Sequence, residues 1–430
     1  MNLNPMRYLS TRGQAPITTL DAALAAGLAP DGGLYVPETL PHFTTGDFDG
    51  LDTLPEIAAR LLAPFFAGSR LQSQLPDICS EALDLPIPIV PLGDSDDLVL
   101  ELFHGPTAAF KDFAARFLAA CLARLRAPDE PLRTVLVATS GDTGGAVAAA
   151  FHRRPGFRVV ILYPDGRVSA RQAHQLAAFG DNIITYKVDG SFDDCQRLVK
   201  SVLGDVELAR SLNLTSANSI SLGRLLPQMA YYAYTAIQIQ RRGQAAPTVI
   251  IPSGNLGNAL AAIVVRDMGL HLGDIVLATN ANQTLSDYFA GADYQGRPSI
   301  ATLANAMDVG DPSNFERLRW WFKDCDLRHS NIEAHWVDDA TIEQQIKVWH
   351  SRTGTAFCPH TACALAVRER LPTNNALIVA TAHPAKFNEI VEPMIGREIA
   401  VPPALAQLLA QPAHAQTLTN DRGALIAALR

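Results

Sequence analysis

A chain of 430 residues, 48% hydrophobic and 18% charged, is too long for one ordinary core and implies two or three domains folded throughout, which excludes a disordered or fibrous protein. The formal net charge of -8, with no block of Lys or Arg, excludes the basic footprint that nucleic acid or an anionic membrane requires and points to a small-molecule ligand. The start "MNLNPMRYLSTRG" has no apolar run after its charges, and no segment reaches about 18 uninterrupted apolar residues, so neither a secretory signal nor a membrane span is expected and the cytoplasm is the expected location.

The first ~90 residues are rich in Pro and Gly around "APDGGLYVPETLPHF" and read as a helical or irregular N-terminal region packed on the rest. In "FHGPTAAFKDFAARF" the spacing of Phe110, Phe113 and Phe117 predicts a helix whose apolar face lies close to Lys111. From about residue 132 an apolar β-branched run ("RTVLVATSG") alternates with Ala-rich helical stretches and further runs ("FRVVILYPDG", "NIITYKVDG"), a βαβ pattern. A short extended "LNLTSAN" precedes the helical "GRLLPQMAYYAYTAIQIQ". The strand "PTVIIPSG" feeds "NLGNALAAIVVRDMG", and "GDIVLATN" and "NALIVATAH" add two central strands. Near-continuous apolar strands separated by helices imply an α/β fold with parallel sheets covered on both faces. After Pro402 an Ala/Leu/Gln-rich helical tail is expected.

Two strand-to-helix turns, "ATSGDTGGAV" and "IPSGNLGNAL", are glycine-rich. Each can present backbone N–H groups and a helix N-terminus to an anion, or be ordinary turn chemistry; neither has the Lys-Ser/Thr of a nucleotide-binding loop. Lys111 is a solvated surface charge or, if desolvated, an amine with its pKa lowered from about 10.4 and able to act as a Schiff-base nucleophile. "ANSISLGR" offers Asn218, Ser219 and Arg224 as an oxyanion clamp or as a polar loop with a helix cap. "TAFCPHTAC" brings Cys358, His360 and Cys363 together without a second ligand cluster, so no metal site is expected. The six dispersed cysteines, Cys79, Cys121, Cys195, Cys325, Cys358 and Cys363, read as reduced thiols.

Taken in order, "YLSTRG", "LAPDGGLYVPETLP", "FHGPTAAFKDF", "ATSGDTGGAV", "ANSISLGRLLPQ", "PSGNLGN", "LANAMDVGDPSN" and "TAHPAKF" resemble the threonine synthases, pyridoxal-phosphate enzymes of fold type II, in their bacterial and fungal long-chain form. The resemblance implies a two-domain, tryptophan synthase β-like fold. Residues 1–90 would pack on a large cofactor domain of 91–131 and 216–430, with 132–215 as a smaller substrate-loop domain.

It further implies pyridoxal 5'-phosphate as cofactor, with Lys111 as the Schiff-base lysine. Gly254, Asn255, Leu256, Gly257 and Asn258 would cradle the cofactor phosphate, Thr381 would meet the pyridine nitrogen, and Asp142 would face the phenolic oxygen. Ser140, Thr143 and Gly144 would lie at the substrate carboxylate. Asn218, Ser219 and Arg224, with Arg116 as a further candidate, would hold a substrate phosphate. Cys358 replaces the acidic residue usual before Pro-His, and "CPHTAC" is given no catalytic role. The implied reaction is conversion of O-phospho-L-homoserine and water to L-threonine and phosphate, by a monomer or homodimer. The alternatives are a phospholyase releasing 2-oxobutyrate and a serine or threonine dehydratase of the same fold.

Overall fold

The computed structural model describes residues 4–323 and 326–430; Cys325 lies outside the described residues. Thirteen described strands form three sheets. A small antiparallel pair, β1 (Tyr8–Ser10) and β2 (Tyr35–Pro37), opens the chain. The large sheet has the order β11-β10-β9-β12-β4-β3. Its members are β3 (Ile89–Pro91), β4 (Leu98–Glu101), β9 (Thr248–Pro252), β10 (Ile275–Thr279), β11 (Ile332–Trp336) and β12 (Ala376–Ala380). All its pairings are parallel except β3 with β4. The second sheet, β13-β7-β6-β5-β8, is wholly parallel. It comprises β5 (Arg133–Ala138), β6 (Phe157–Pro164), β7 (Ile183–Val188), β8 (Leu214–Ser216) and β13 (Gln416–Leu418).

The apolar runs become these sheets because both faces are covered. Every residue of β10 and β12 is buried, as a parallel sheet under helices on both sides demands. Capping boxes at Ser169/Gln172 and Ser191/Asp194 start the helices Ala170–Ala177 and Phe192–Leu203 by satisfying their first free N–H groups. The chain leaves the large sheet after β4, runs through the helix Lys111–Leu125 into the second sheet, and returns through the helix Leu222–Arg241 to β9.

The N-terminal region is more regular than its composition predicts. The helices Leu54–Leu62 and Leu75–Leu83 pack on each other and on the helices Leu222–Arg241 and Lys111–Leu125. The expectation that 216–430 lies wholly with the large sheet is corrected at its end. Strand β13 pairs with β7 of the second sheet, and Leu418, Leu425 and Leu429 join its apolar cluster with Leu136, Val160 and Leu198. A three-residue strand with one buried apolar position leaves too little periodicity to be read from sequence.

Arg317 ties the N-terminal region to the body. Its guanidinium is fully buried and donates to Tyr35 O at 3.1 Å, Asn314 Oδ1 at 2.7 Å and Ile220 O at 2.6 Å. Arg317→Met leaves three buried acceptors without a donor and is expected to cost roughly 3 kcal/mol or more. Urea unfolding checks this, with the loss appearing in the midpoint at unchanged slope; a midpoint equal to wild type contradicts it.

Candidate active site

The functional candidates converge because the loops that carry them all leave the carboxyl ends of parallel strands, where open α/β sheets form their crevices. Lys111 follows β4, the Ser140–Thr143 turn follows β5, Asn218 and Ser219 follow β8, the Ser253–Asn258 turn follows β9, and Thr381 follows β12. All line one cavity between the two large sheets.

Lys111 begins its helix after a loop held in place by its neighbour. Asp112 accepts from Thr107 N at 2.8 Å and from Thr107 Oγ1 at 2.6 Å, folding the Gly105–Thr107 turn onto the helix. Ala108 takes a left-handed φ of 55°, a strained conformation for alanine. It is fixed by hydrogen bonds from Phe110 N to Thr381 O at 2.9 Å and from His383 N to Ala108 O at 3.0 Å. Lys111 therefore enters the cavity next to Thr381. Burial lowers its pKa to about 8, against the opposing pull of Asp142 and with the help of the cations Arg224 and Lys386. The solvated-lysine reading is excluded by this placement.

Asp142 stands at the start of the helix Asp142–Phe151, 2.7 Å from Lys386 Nζ, and accepts from Gln172 Nε2 at 3.0 Å. Burial alone would raise its pKa, but Lys386 and Lys111 outweigh burial and hold the carboxyl well below the usual range. Nothing local in the sequence marks Lys386, which lies within "TAHPAKF" and is only 1% exposed. His360, in the motif from which no catalytic role is expected, lines the cavity. Its Nε2 accepts from Ala306 N at 3.1 Å, leaving the proton on Nδ1. Burial lowers its pKa to about 4, so the ring is neutral at neutral pH. The "CPHTAC" motif could have flagged it once the metal reading was set aside. Cys358 instead caps the helix Pro359–Arg368 through Thr361 N.

The Ser253–Asn258 turn passes through Leu256 at φ 63° into the helix Gly257–Asp267, which turns successive N–H groups towards one side. Gly254 is required by close packing, since a Cβ there would lie 2.8 Å from Met307 Cα. At Gly257 a Cβ would meet nothing nearer than Asn314 Nδ2 at 3.5 Å. The Asn255 side chain is occupied, donating to Ser219 Oγ at 2.5 Å and accepting from Ser313 N at 2.5 Å. It links this turn to the Asn218–Arg224 loop. Arg224 is 2% exposed, donates from Nη1 to Ala217 O at 2.5 Å, and has its pKa lowered by burial to about 10. It remains a cation at neutral pH.

Four buried polar atoms of cavity-lining residues have no hydrogen-bond partner among the described residues: Arg224 Nε, Asn218 Oδ1, Asn258 Nδ2 and His360 Nδ1. Buried polar groups are almost always paired, so these four describe a polar ligand rather than a finished core. Together with the depressed amine of Lys111, the cavity can capture an aldehyde and hold anions.

Two expected residues do not reach it. Gly144 gives its N–H to Thr139 Oγ1 at 2.9 Å, and a Cβ there would strike Leu176, Thr139 and Ile161, so it serves close helix–strand packing. Arg116 follows Lys111 by five residues, about 140° round the helix. It points away to donate to Ala82 O at 2.9 Å and Glu81 O at 2.7 Å.

Residues 94–381 match the family described as pyridoxal-phosphate dependent enzyme, and residues 7–83 and 361–428 match the threonine synthase N terminus and the threonine synthase C-terminal families. A threonine synthase from Serratia marcescens is 38% identical over 407 residues, covering 94% of each chain. The crystal structure of threonine synthase from Escherichia coli has a TM-score of 0.91 at 36% identity over 99% of both chains. That of pyridoxal-phosphate-bound threonine synthase from Brucella melitensis has a TM-score of 0.89 at 33% identity, over 99% of this chain and 98% of that one. With its fold type II architecture and matches along nearly its whole length, the chain belongs to the threonine synthase family of pyridoxal-phosphate enzymes.

Proposed function

We propose that this enzyme converts O-phospho-L-homoserine and water into L-threonine and phosphate. The observation that carries the reading is Arg224, a buried guanidinium with a spare Nε donor, in the cavity that also holds Lys111 and the glycine turn. One cavity with two anion-holding clusters suits a phosphorylated substrate beside a phosphorylated cofactor.

The residues present fit pyridoxal 5'-phosphate. Lys111 would hold its aldehyde carbon, and the backbone of Gly254, Leu256 and Gly257 with Asn258 Nδ2 would hold its phosphate. The Thr381 hydroxyl would meet the ring nitrogen, and Asp142 the phenolic side. The bound cofactor supplies an electron sink for negative charge developing on the substrate carbons.

Lys111, with its pKa lowered to about 8, takes the proton from Cα and from Cβ when freed as an amine, and returns a proton to Cα at the end. Ser140 and Thr143 orient the substrate carboxylate; Gly144 and Arg116 are withdrawn from the substrate set. Asn218, Ser219 and Arg224 hold the side-chain phosphate until it leaves Cγ. On this reading the enzyme acts as a monomer or a homodimer. No described helix is long and apolar enough to cross a membrane. The free buried thiols Cys79, Cys121, Cys195, Cys358 and Cys363 support a reducing, cytoplasmic location.

Gly257→Ala adds a methyl that the protein itself accommodates, so unfolding should be unchanged while cofactor retention, measured by dialysis and visible absorbance, falls on the order of tenfold through lost backbone approach. Retention equal to wild type removes the turn from the cofactor site.

Arg224→Ala should lower kcat/KM for O-phospho-L-homoserine by roughly ten- to hundred-fold, the worth of a charged hydrogen bond. Turnover of threonine or serine should be much less affected. Phosphate, threonine and 2-oxo acid are followed separately. An unchanged preference for the phosphorylated substrate removes Arg224 from the clamp, and wild-type protein yielding only 2-oxo acid overturns the synthase reading.

A further inference from the structure

Two lysines act on Asp142, Lys111 in the cavity lining and Lys386 buried beside it, and the reaction needs only one. Lys386, on the single turn Pro384–Phe387 that follows β12, is 1% exposed. Its Nζ donates to Thr107 O at 2.8 Å and lies 2.7 Å from Asp142 Oδ1. The partners of Asp142 are therefore Lys386 and Gln172; among the described ion pairs Lys111 forms none with it. Asp142 is also the one carboxylate lining the cavity among the described residues.

The charged and titratable groups that act on Lys111 come from four elements. They are Asp142 at the start of its helix, Arg224 in the helix Leu222–Arg241, Lys386 on its turn, and His360 in the helix Pro359–Arg368. A lone carboxylate beside a buried amine favours the ammonium form, which is neither nucleophile nor base. A second ammonium already bound to that carboxylate opposes this pull, because its own charge disfavours an ammonium at Lys111.

We propose that Lys386 is a positioning residue for Lys111: by occupying Asp142 with its own ammonium it weakens that carboxylate's hold on a proton at Lys111, so that the amine is more readily freed to attack an aldehyde. This rests on Lys111 being the cofactor's lysine. The Lys386 amine is met by the Asp142 carboxylate and the Thr107 carbonyl. The backbone supports this arrangement from the other side. Ser169 Oγ donates to Lys386 O at 2.9 Å and Arg171 Nη1 to Ala385 O at 2.6 Å, so the helix that places Gln172 on Asp142 also fixes the turn that carries Lys386.

The test uses the full chain freed of cofactor. Pyridoxal 5'-phosphate is added across a range of pH, the adduct is trapped with cyanoborohydride, and the rate of trapping gives the midpoint at which the accepting amine loses its proton. In Lys386→Met the ammonium form of Lys111 should persist to higher pH. A rise of about one unit means roughly tenfold slower capture at pH 7. Lys386→Arg, which keeps the charge, should hold the wild-type midpoint. Lys386→Met combined with Asp142→Asn should return to it, and Asp142→Asn alone should lower it.

A wild-type midpoint in Lys386→Met overturns the proposal, and so does a raised midpoint that persists in the double variant, since that would mark a packing role. If Lys386→Met does not fold, Asp142→Asn decides: a lowered midpoint supports the proposal and an unchanged one overturns it. Lys111→Ala should trap no adduct; capture at the wild-type rate overturns the Lys111 reading and this proposal with it.

Discussion

A carboxylate on the helix that follows β5 and an ammonium on the turn that follows β12 meet at 2.7 Å beside the cavity, Asp142 with Lys386. Removing two such charges from water costs several kcal/mol each, and their attraction recovers this only when the remaining hydrogen bonds are satisfied. Here Asp142 Oδ1 also accepts from Gln172, and the amine also donates to the Thr107 carbonyl. The same few residues stitch the two units together. Gln172 accepts from Asn305 at 3.0 Å, and Gln175 donates to Thr107 O at 3.3 Å, so the junction of the sheets and the electrostatic floor of the site are one structure. A pair of this kind is weak evidence for stability and better understood through what it does to its neighbour, Lys111.

Around that floor the protein is built to be incomplete. Its apolar side chains pack into continuous clusters, yet four buried polar atoms of cavity-lining residues have no hydrogen-bond partner among the described residues. The Asn255 bridge to Ser219 and Ser313 brings the glycine turn and the arginine clamp into one frame. Arg317, through Asn314 and Ile220, secures that frame to the N-terminal region. The region that looked irregular in composition thus helps set the spacing of the anion-holding groups.

Much of this was legible in the sequence where one signal was strong. The runs that became β5, β6, β9 and β12 are nearly all apolar, and the Phe spacing around Lys111 does mark a buried helix face. The strands β3, β11 and β13 were not legible, because short or half-exposed edge strands carry no continuous apolar run. Lys386 and His360 escaped for a different reason. Nothing in their local neighbourhood shows that distant elements will close over them, and a buried charge is identified only by its partner, here 244 positions away for Lys386 and Asp142. Arg116 and Gly144 failed in the opposite sense: sequence proximity to a site says little about direction, which the turn of a helix decides.

The central claim is that of the two lysines that act on Asp142, Lys111 alone accepts the cofactor while Lys386 stays ion-paired. Borohydride reduction of the purified protein with pyridoxal 5'-phosphate, followed by peptide mapping by mass spectrometry, tests it most directly. The account predicts one pyridoxyl group per chain, on the peptide containing Lys111 and with Lys386 unmodified. A pyridoxyl group on Lys386, or on any lysine outside the cavity in place of Lys111, would contradict it.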